Sequence, residues 1–324
     1  MVLDKNFIKF YNRVMNNIFD LIIIGGGPAG VAGGVYAARK QLKTLVIAES
    51  LGGQSIVSTK ITNWIGESEI AGYDLGKKLK QHLMACASDR MQVREDELVE
   101  GILQNDDKTF TVVTNRLSYT TKTILFATGT ARRKLNAINA EKFDHKGIAY
   151  CATCDAPFFQ DMAVAVVGGG NSAFEGVLQL VEYASQIYLI NWDEQFFAHP
   201  ETIEKVKQNP KVKIMMNAAV DEVTGENFVG GAKIRNTKSG ELSDLAVQGI
   251  FVEIGSVPNT ALVKGLVDLG NDGAIEVDAR TQRTSNLGIW AAGDCTNGLY
   301  RQNNIAAGDA VKAIEDIYKF LSVK

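Results

Sequence analysis

The sequence predicts an α/β protein made of two Rossmann-like nucleotide-binding domains of the three-layer ββα kind, the second inserted in the first. Three observations predict it. A glycine-rich turn occurs twice, as GGGPAG at 25–30 and GGGNSA at 168–173. Each turn ends an apolar strand pattern and opens a helical one, the order a dinucleotide-binding βαβ unit requires. Between them lies a cysteine pair at redox spacing, Cys151-Ala152-Thr153-Cys154, followed at once by Asp155.

The first strand, Phe19–Ile24, is a continuous apolar run of the kind found in buried parallel strands. It enters Gly25-Gly26-Gly27-Pro28-Ala29-Gly30, then the helical stretch VAGGVYAARK. A second strand at 44–48 ends at Glu49, 24 positions after the first glycine. The glycines permit a tight turn and close approach of a pyrophosphate at the helix N-terminus, and Glu49 is placed to accept hydrogen bonds from a ribose diol. Segments 111–114 and 124–127 read as short β-structure ending in Ala127-Thr128-Gly129. The layout repeats with a strand at 163–167, the turn Gly168 to Ala173, the helix FEGVLQLVEYA and a strand at 187–190. A last strand at 288–292 runs into Gly293-Asp294. The expected plan is an N-terminal extension at 1–18, an outer FAD-binding domain at 19–133 and 258–324, and an inserted pyridine-nucleotide-type domain at 134–257 that carries the dithiol.

Composition is compatible with this plan. A chain of 324 residues suggests roughly two domains. Hydrophobic content of 46% with 22% charged residues is ordinary for such a protein, and a net charge of −3 supplies no field for nucleic acid or a membrane surface. No apolar run approaches the ~20 residues of a spanning helix. The first 18 residues lack a signal peptide's apolar centre, and read either as a short amphipathic helix or as sequence before a start at Met15. Four cysteines with only two at redox spacing suit a reducing cytoplasm.

Two sulfurs two residues apart can close a disulfide or share a proton once one is a thiolate. The competing reading of CxxC is half a zinc site, but Cys86 and Cys295 stand alone and complete no second pair, so no metal is expected. With two nucleotide folds, the dithiol suggests a flavin passing an electron pair to a disulfide. Asp155 reads as the proton donor for a departing thiolate, or as a helix N-cap, and the two are compatible. Cys295 reads as a small core residue and Cys86 has no assigned role.

Beyond residue 18 the chain resembles the low-molecular-weight thioredoxin reductases. The carriers are GGGPAG, GGQ at 52–54, ITNWIG at 61–66, ATG at 127–129, CATCD at 151–155, GGGNSA, IGSVPNT at 254–260, AAGDC at 291–295 and YRQNNIAAGDA at 300–310. Several also resemble the flavoprotein core of alkyl hydroperoxide reductase, without its N-terminal thioredoxin-like unit. The resemblance implies FAD held at its pyrophosphate by Gly25, Gly27, Pro28, Ala29 and Gly30, with Glu49 on the ribose. Gly53, Gln54 and Asn63 would line the flavin side. Ala127, Thr128, Gly129, Gly293 and Asp294 would complete the pocket, and Arg301 and Gln302 would meet the pyrimidine end. For single members the competing reading is a turn, loop or cap residue. The resemblance further implies that Cys154 faces the flavin, that Cys151 attacks the disulfide of thioredoxin or a thioredoxin-like protein, that the inserted domain rotates, and that the protein is a cytoplasmic homodimer. Hinge candidates are 129–131 and 255–259. Ala156-Pro157 departs from the family's glycine after the dithiol.

The other departure concerns the electron donor. NADPH-using members carry arginines after the second turn that clamp the 2′-phosphate with planar donors. Here the stretch reads Leu189-Ile190-Asn191-Trp192-Asp193-Glu194-Gln195-Phe196-Phe197, and the arginine positions hold Trp192, Asp193 and Phe197. A carboxylate near a phosphate costs roughly 1–4 kcal/mol at about 4 Å, and each lost charge-assisted bond about 1.5–3 kcal/mol. NADPH is therefore expected to be a poor donor. One reading is NADH, bound at Gly168, Gly170, Asn171, Ser172 and Ala173 with Asp193 on the adenine ribose; it is slightly favoured. The other is a nicotinamide-independent enzyme fed by ferredoxin, with Trp192 filling the adenine pocket. Two rival functions are a flavin dithiol oxidase using oxygen, for which His145 is the residue to watch, and a non-catalytic redox-responsive binding module.

Overall fold

The protein is described by a computed structural model covering residues 18–58 and 61–323. The expected N-terminal extension, apart from Ile18, lies outside the described residues, as do the side chains of Val57, Thr153 and Cys154. The chain divides into two compact units, one formed by 1–131 with 258–324 and the other by 132–257.

In the first unit β1 (Phe19–Ile24) leads into α1 (Pro28–Arg39) and β2 (Thr44–Ile47). After α2 (Gly72–Ala85) come β3 (Met91–Arg94), β4 (Val99–Gln104), β5 (Phe110–Thr114) and β6 (Ser118–Phe126). The sheet order is β3-β2-β1-β6-β5-β4, with a strand at Ile289–Ala291 also pairing with β6. β1 is parallel to both neighbours, in register Leu21 with Thr44 and Leu21 with Thr123. Its alternating side chains explain the unbroken apolar run. Leu21 and Ile23 meet α1 and the C-terminal helix Asn303–Ser322, whereas Ile22 and Ile24 meet Val99, Ile102, Phe110 and Val112 of the meander. Helices, parallel sheet and meander make three layers. Each fully buried aliphatic side chain stabilises them by roughly 1.5–3 kcal/mol.

The β-structure expected within 110–127 is more extensive than its sequence signal. β6 starts at Ser118 because Tyr119, Thr120 and Thr121 pair with β5, although only the stretch from Ile124 is strongly apolar.

The second unit repeats the scheme. It contains β7 (Ile148–Ala149), α3 (Ala152–Asp155), β8 (Ala163–Val167), α4 (Asn171–Leu180), β9 (Gln186–Ile190), α5 (Pro200–Lys207) and β10 (Val212–Met215). An antiparallel sheet of β11 (Ala218–Gly225), β12 (Val229–Asn236) and β13 (Leu242–Leu245) follows, then β14 (Gly249–Val252). The parallel order is β10-β9-β8-β14-β7. Val164 and Val166 pack toward α4, while Ala165 and Val167 face the antiparallel sheet. Chain order reverses between β8 and β14, the crevice where doubly wound sheets bind ligands.

Candidate functional site

In the first unit a cavity of 780 Å³ opens at the C-terminal ends of β1 and β2. Gly25, Gly27, Pro28 and Ala29 line it where α1 begins, and Glu49 lines it just beyond β2. Gly25 has φ +120°, and a Cβ there would run into the carbonyl oxygen of Ala127. Gly30 is equally constrained, since its Cβ would strike the Gly25 carbonyl. The two glycines thus let the β1–α1 turn and the strand end at Ala127 close on each other. Proline at the first helical position fits because its missing N–H would have no intrahelical partner there.

Gly53, Gln54, Ala127, Thr128, Gly129, Gly293 and Asp294 line the same cavity. The Gln54 amide donates to the backbone carbonyl and hydroxyl of Thr130. Thr128 donates from its hydroxyl to the Asn259 carbonyl at 2.7 Å, and the Asn259 amide returns a bond to the Thr128 carbonyl at 3.0 Å. Burial pushes the Asp294 carboxyl above its ordinary range, and the Arg301 guanidinium partly offsets this. Asn63, Gly30, Arg301 and Gln302 are not among the lining residues. Asn63 donates instead to Gln302 Oε1 at 3.0 Å, fixing one loop against the start of the C-terminal helix. Sequence reasoning missed Glu97. It is buried, accepts bonds from Thr114 and Tyr119 at 2.6 and 2.9 Å, and lines the cavity.

In the second unit Cys151 is disulfide-bonded and stands directly before α3. The Asp155 N–H donates to the Cys151 carbonyl at 3.0 Å. Asp155 precedes the 3₁₀ turn Ala156–Phe159, but its side chain makes no capping bond, so the cap reading is not realised. Burial raises the Asp155 carboxyl above its ordinary range, against the charges of His145 and Arg132. His145 is exposed, in the left-handed region at φ 57°. Cys86 and Cys295 are free thiols. Cys295 is fully buried, which pushes its thiol up to about 11 and leaves it inert as a nucleophile at neutral pH.

The second glycine turn also lies in this unit. Gly168 has φ +146°, Gly170 precedes α4, and Asn171 Oδ1 accepts the His199 N–H at 2.8 Å. Ser172 is exposed and Ala173 buried. Asp193 is exposed, and its carboxylate accepts the N–H of Glu194 at 3.1 Å. Trp192 and Phe197 are 62% and 69% exposed. The guanidinium of Arg235 lies 5.8 Å from the Trp192 ring centre but already donates to Asp221 at 2.9 Å. Among the described residues no His, Cys, Asp or Glu cluster is arranged for a metal, and no helix is long and apolar enough to cross a membrane.

Sequence reasoning also missed Glu253, directly after β14, whose carboxylate accepts the N–H of Ala152 beside Cys151. An acidic residue at the C-terminal end of a parallel strand, two positions before Gly255, was the available signal.

Comparison with known proteins matches residues 19–310 to the pyridine nucleotide-disulphide oxidoreductase family. A subunit of the alkyl hydroperoxide reductase of Pseudomonas putida is 37% identical over 91% of this chain, which spans 56% of that protein's length. The thioredoxin reductase of Mycolicibacterium smegmatis is 35% identical, with 94% of this chain and 97% of that protein covered. Among solved structures, thioredoxin reductase from Lactococcus lactis superposes with a TM-score of 0.84 at 30% identity, covering 94% of this chain and 99% of that one. With its two glycine turns and its disulfide in place, the chain belongs to the pyridine nucleotide-disulphide oxidoreductase family, among its thioredoxin reductase-like members.

Proposed function

We propose that this protein is an FAD-dependent disulfide oxidoreductase that reduces thioredoxin or a thioredoxin-like protein through Cys151 and Cys154. The observation that carries the reading is the disulfide at Cys151, followed within four residues by Asp155, a carboxyl that burial biases toward its protonated form. A carboxyl so biased is suited to hand a proton to a departing thiolate. In this reading Cys154 takes the electron pair and Cys151 attacks the acceptor.

The 780 Å³ cavity fits a dinucleotide cofactor, being within the range of cofactor sites and floored by a turn whose Gly25 and Gly30 admit no side chain. Gly25, Gly27, Pro28, Ala29 and Gly30 would hold the pyrophosphate and Glu49 the ribose. Gly53, Gln54, Ala127, Thr128, Gly129, Gly293 and Asp294 would flank the remainder, with Asn63, Arg301 and Gln302 at the flavin end. FAD bound there would supply a two-electron carrier able to open the disulfide.

NADH is the favoured donor over NADPH. Exposed Asp193 offers a carboxylate to a ribose diol and repels a 2′-phosphate, and Arg235 is committed to Asp221. The deciding experiment mixes the flavoprotein anaerobically with NADH or NADPH and follows the flavin absorbance, then adds thioredoxin. Fast bleaching by NADH and Cys151-dependent reduction of thioredoxin are expected. Rapid bleaching by micromolar NADPH would overturn the donor assignment. Reduction by ferredoxin alone would replace the nicotinamide with a protein donor, and hydrogen peroxide formed in proportion to a small dithiol would indicate an oxidase. A C151S protein that still reduces thioredoxin would overturn the whole reading.

A further inference from the structure

Glu253 stands where the dithiol turn, α4 and the chain crossing of the second unit meet. Its N–H donates to the Val167 carbonyl at 2.8 Å, which fixes it beside the end of β8. Its carboxylate accepts the N–H of Ala152, the residue after Cys151, and lies 3.5 Å from Nη1 of Arg132. The side chain is only 11% exposed. Gly176 of α4 packs against both residues. A Cβ there would sit 3.4 Å from Cβ of Ala152 and 3.7 Å from Cγ of Glu253. The charged groups facing this carboxyl are Arg132, from the segment entering the unit, and Glu175, from α4. Arg132 also acts on Asp155, which His145 faces as well, so one guanidinium serves both carboxyls around the dithiol.

We propose that Glu253 is a positioning residue of the dithiol, taking up a proton when the disulfide is reduced and thereby making the redox equilibrium pH-dependent near neutrality. The proposal rests on the dithiol reading above. On reduction the S–S bond accepts two electrons and breaks. One sulfur takes a proton, the other remains a thiolate, and a second proton passes to the Glu253 carboxylate. A dithiol reductant, or the flavin in turnover, supplies the electrons. The new negative charge on the dithiol disfavours a second one on Glu253, which is why the proton binds there. Burial already pushes this carboxyl up, with Arg132 and the Ala152 N–H pulling against it, to about 7 in the disulfide form. The change therefore falls near neutral pH. Asp155 is the direct proton donor in this scheme, and Glu253 acts through the Cys151–Ala152 backbone.

The test is the exchange equilibrium of the flavoprotein with dithiothreitol, read by alkylation and mass analysis of the peptide containing residues 151–154. This reading needs neither nicotinamide nor thioredoxin, so failure of the proposed activity and failure of the proton linkage are seen separately. The constant for the wild type is divided by that for Glu253→Gln, which keeps an acceptor for the Ala152 N–H. The ratio is expected to be level below about pH 6.5 and to fall above about pH 7. It should fall by about tenfold for each unit by which reduction raises the carboxyl's pKa. Arg132→Gln, measured alone against wild type, is expected to move the onset to higher pH and keeps the test available should Glu253→Gln not fold. A ratio that stays level across this range, or an onset that ignores Arg132→Gln, would overturn the proposal.

Discussion

Asn191 fills the space that any side chain on Gly169 would need. A Cβ built on that glycine runs into Asn191 Oδ1, while Asn191 Nδ2 donates to the carbonyls of Asp193 and Gln195, both at 2.9 Å. The Gly169 carbonyl in turn accepts the Phe197 N–H at 2.8 Å. The glycine turn and the loop carrying Trp192 and Asp193 are therefore one locked piece. Asn191 cannot swing aside without giving up both bonds.

Gly169→Ala should accordingly cost about 1–3 kcal/mol of stability through overpacking. It should also weaken NADH binding while leaving the Cys151 disulfide reducible by dithiothreitol. Denaturant melts and an NADH titration of the flavin absorbance check the two halves. Unchanged stability would mean that Asn191 yields more easily than its two bonds imply.

The same loop yields a specificity prediction. Replacing Trp192 and Asp193 together by arginine removes a carboxylate and adds two planar donors. Each charge-assisted bond is worth about 1.5–3 kcal/mol. The ratio of NADPH to NADH rate constants for flavin bleaching should rise by at least about tenfold for one such bond. An unchanged ratio would show that this loop does not touch the adenine ribose.

The parallel strands and both glycine turns were legible because burial on two faces writes an unbroken apolar run, as in Phe19–Ile24. β6 was legible only from Ile124, since its first half is held by cross-strand pairing of Thr120 and Thr121 rather than by apolar content. Of the candidate site, the cavity-lining turn could be read from glycine spacing, because positive φ and close backbone approach leave no other choice. Glu97 and Glu253 could not. Their significance lies in burial and in partners distant in sequence, Thr114 and Tyr119 for one, Ala152 and Arg132 for the other. No local pattern encodes such partners.

Burial of Glu253 also makes a stability prediction whose sign is fixed. Its folded pKa, about 7, lies above the ordinary value of 4.5. The protonated form suits the fold, so this contribution is fully present below about pH 4.5 and is lost as pH rises through 7. Glu253→Gln mimics the protonated form. It should match wild type at about pH 4 and exceed it at pH 8 by on the order of 3 kcal/mol. Denaturant melts at the two pH values measure this. A variant less stable than wild type at pH 8 would mean that the ion pair with Arg132 outweighs the burial penalty.

Gly25→Ala tests the first glycine turn, and its effect can be argued from the backbone alone. At φ +120° a Cβ is disfavoured whatever surrounds it, at roughly 1–2 kcal/mol. Here it also meets the Ala127 carbonyl, which cannot retreat because β6 pairs with β1 up to Phe126 and the Ala127 N–H is bonded to Ile24. Relief must come from the turn itself, which would move into the cavity where a pyrophosphate would lie. With overpacking of about 1–3 kcal/mol added, flavin affinity should fall roughly a hundredfold. The ratio of flavin to protein absorbance after gel filtration measures it. The disulfide at Cys151 should remain intact, since it belongs to the other unit. Full flavin content in Gly25→Ala would remove this turn from the cofactor site and leave the cavity without an assigned occupant.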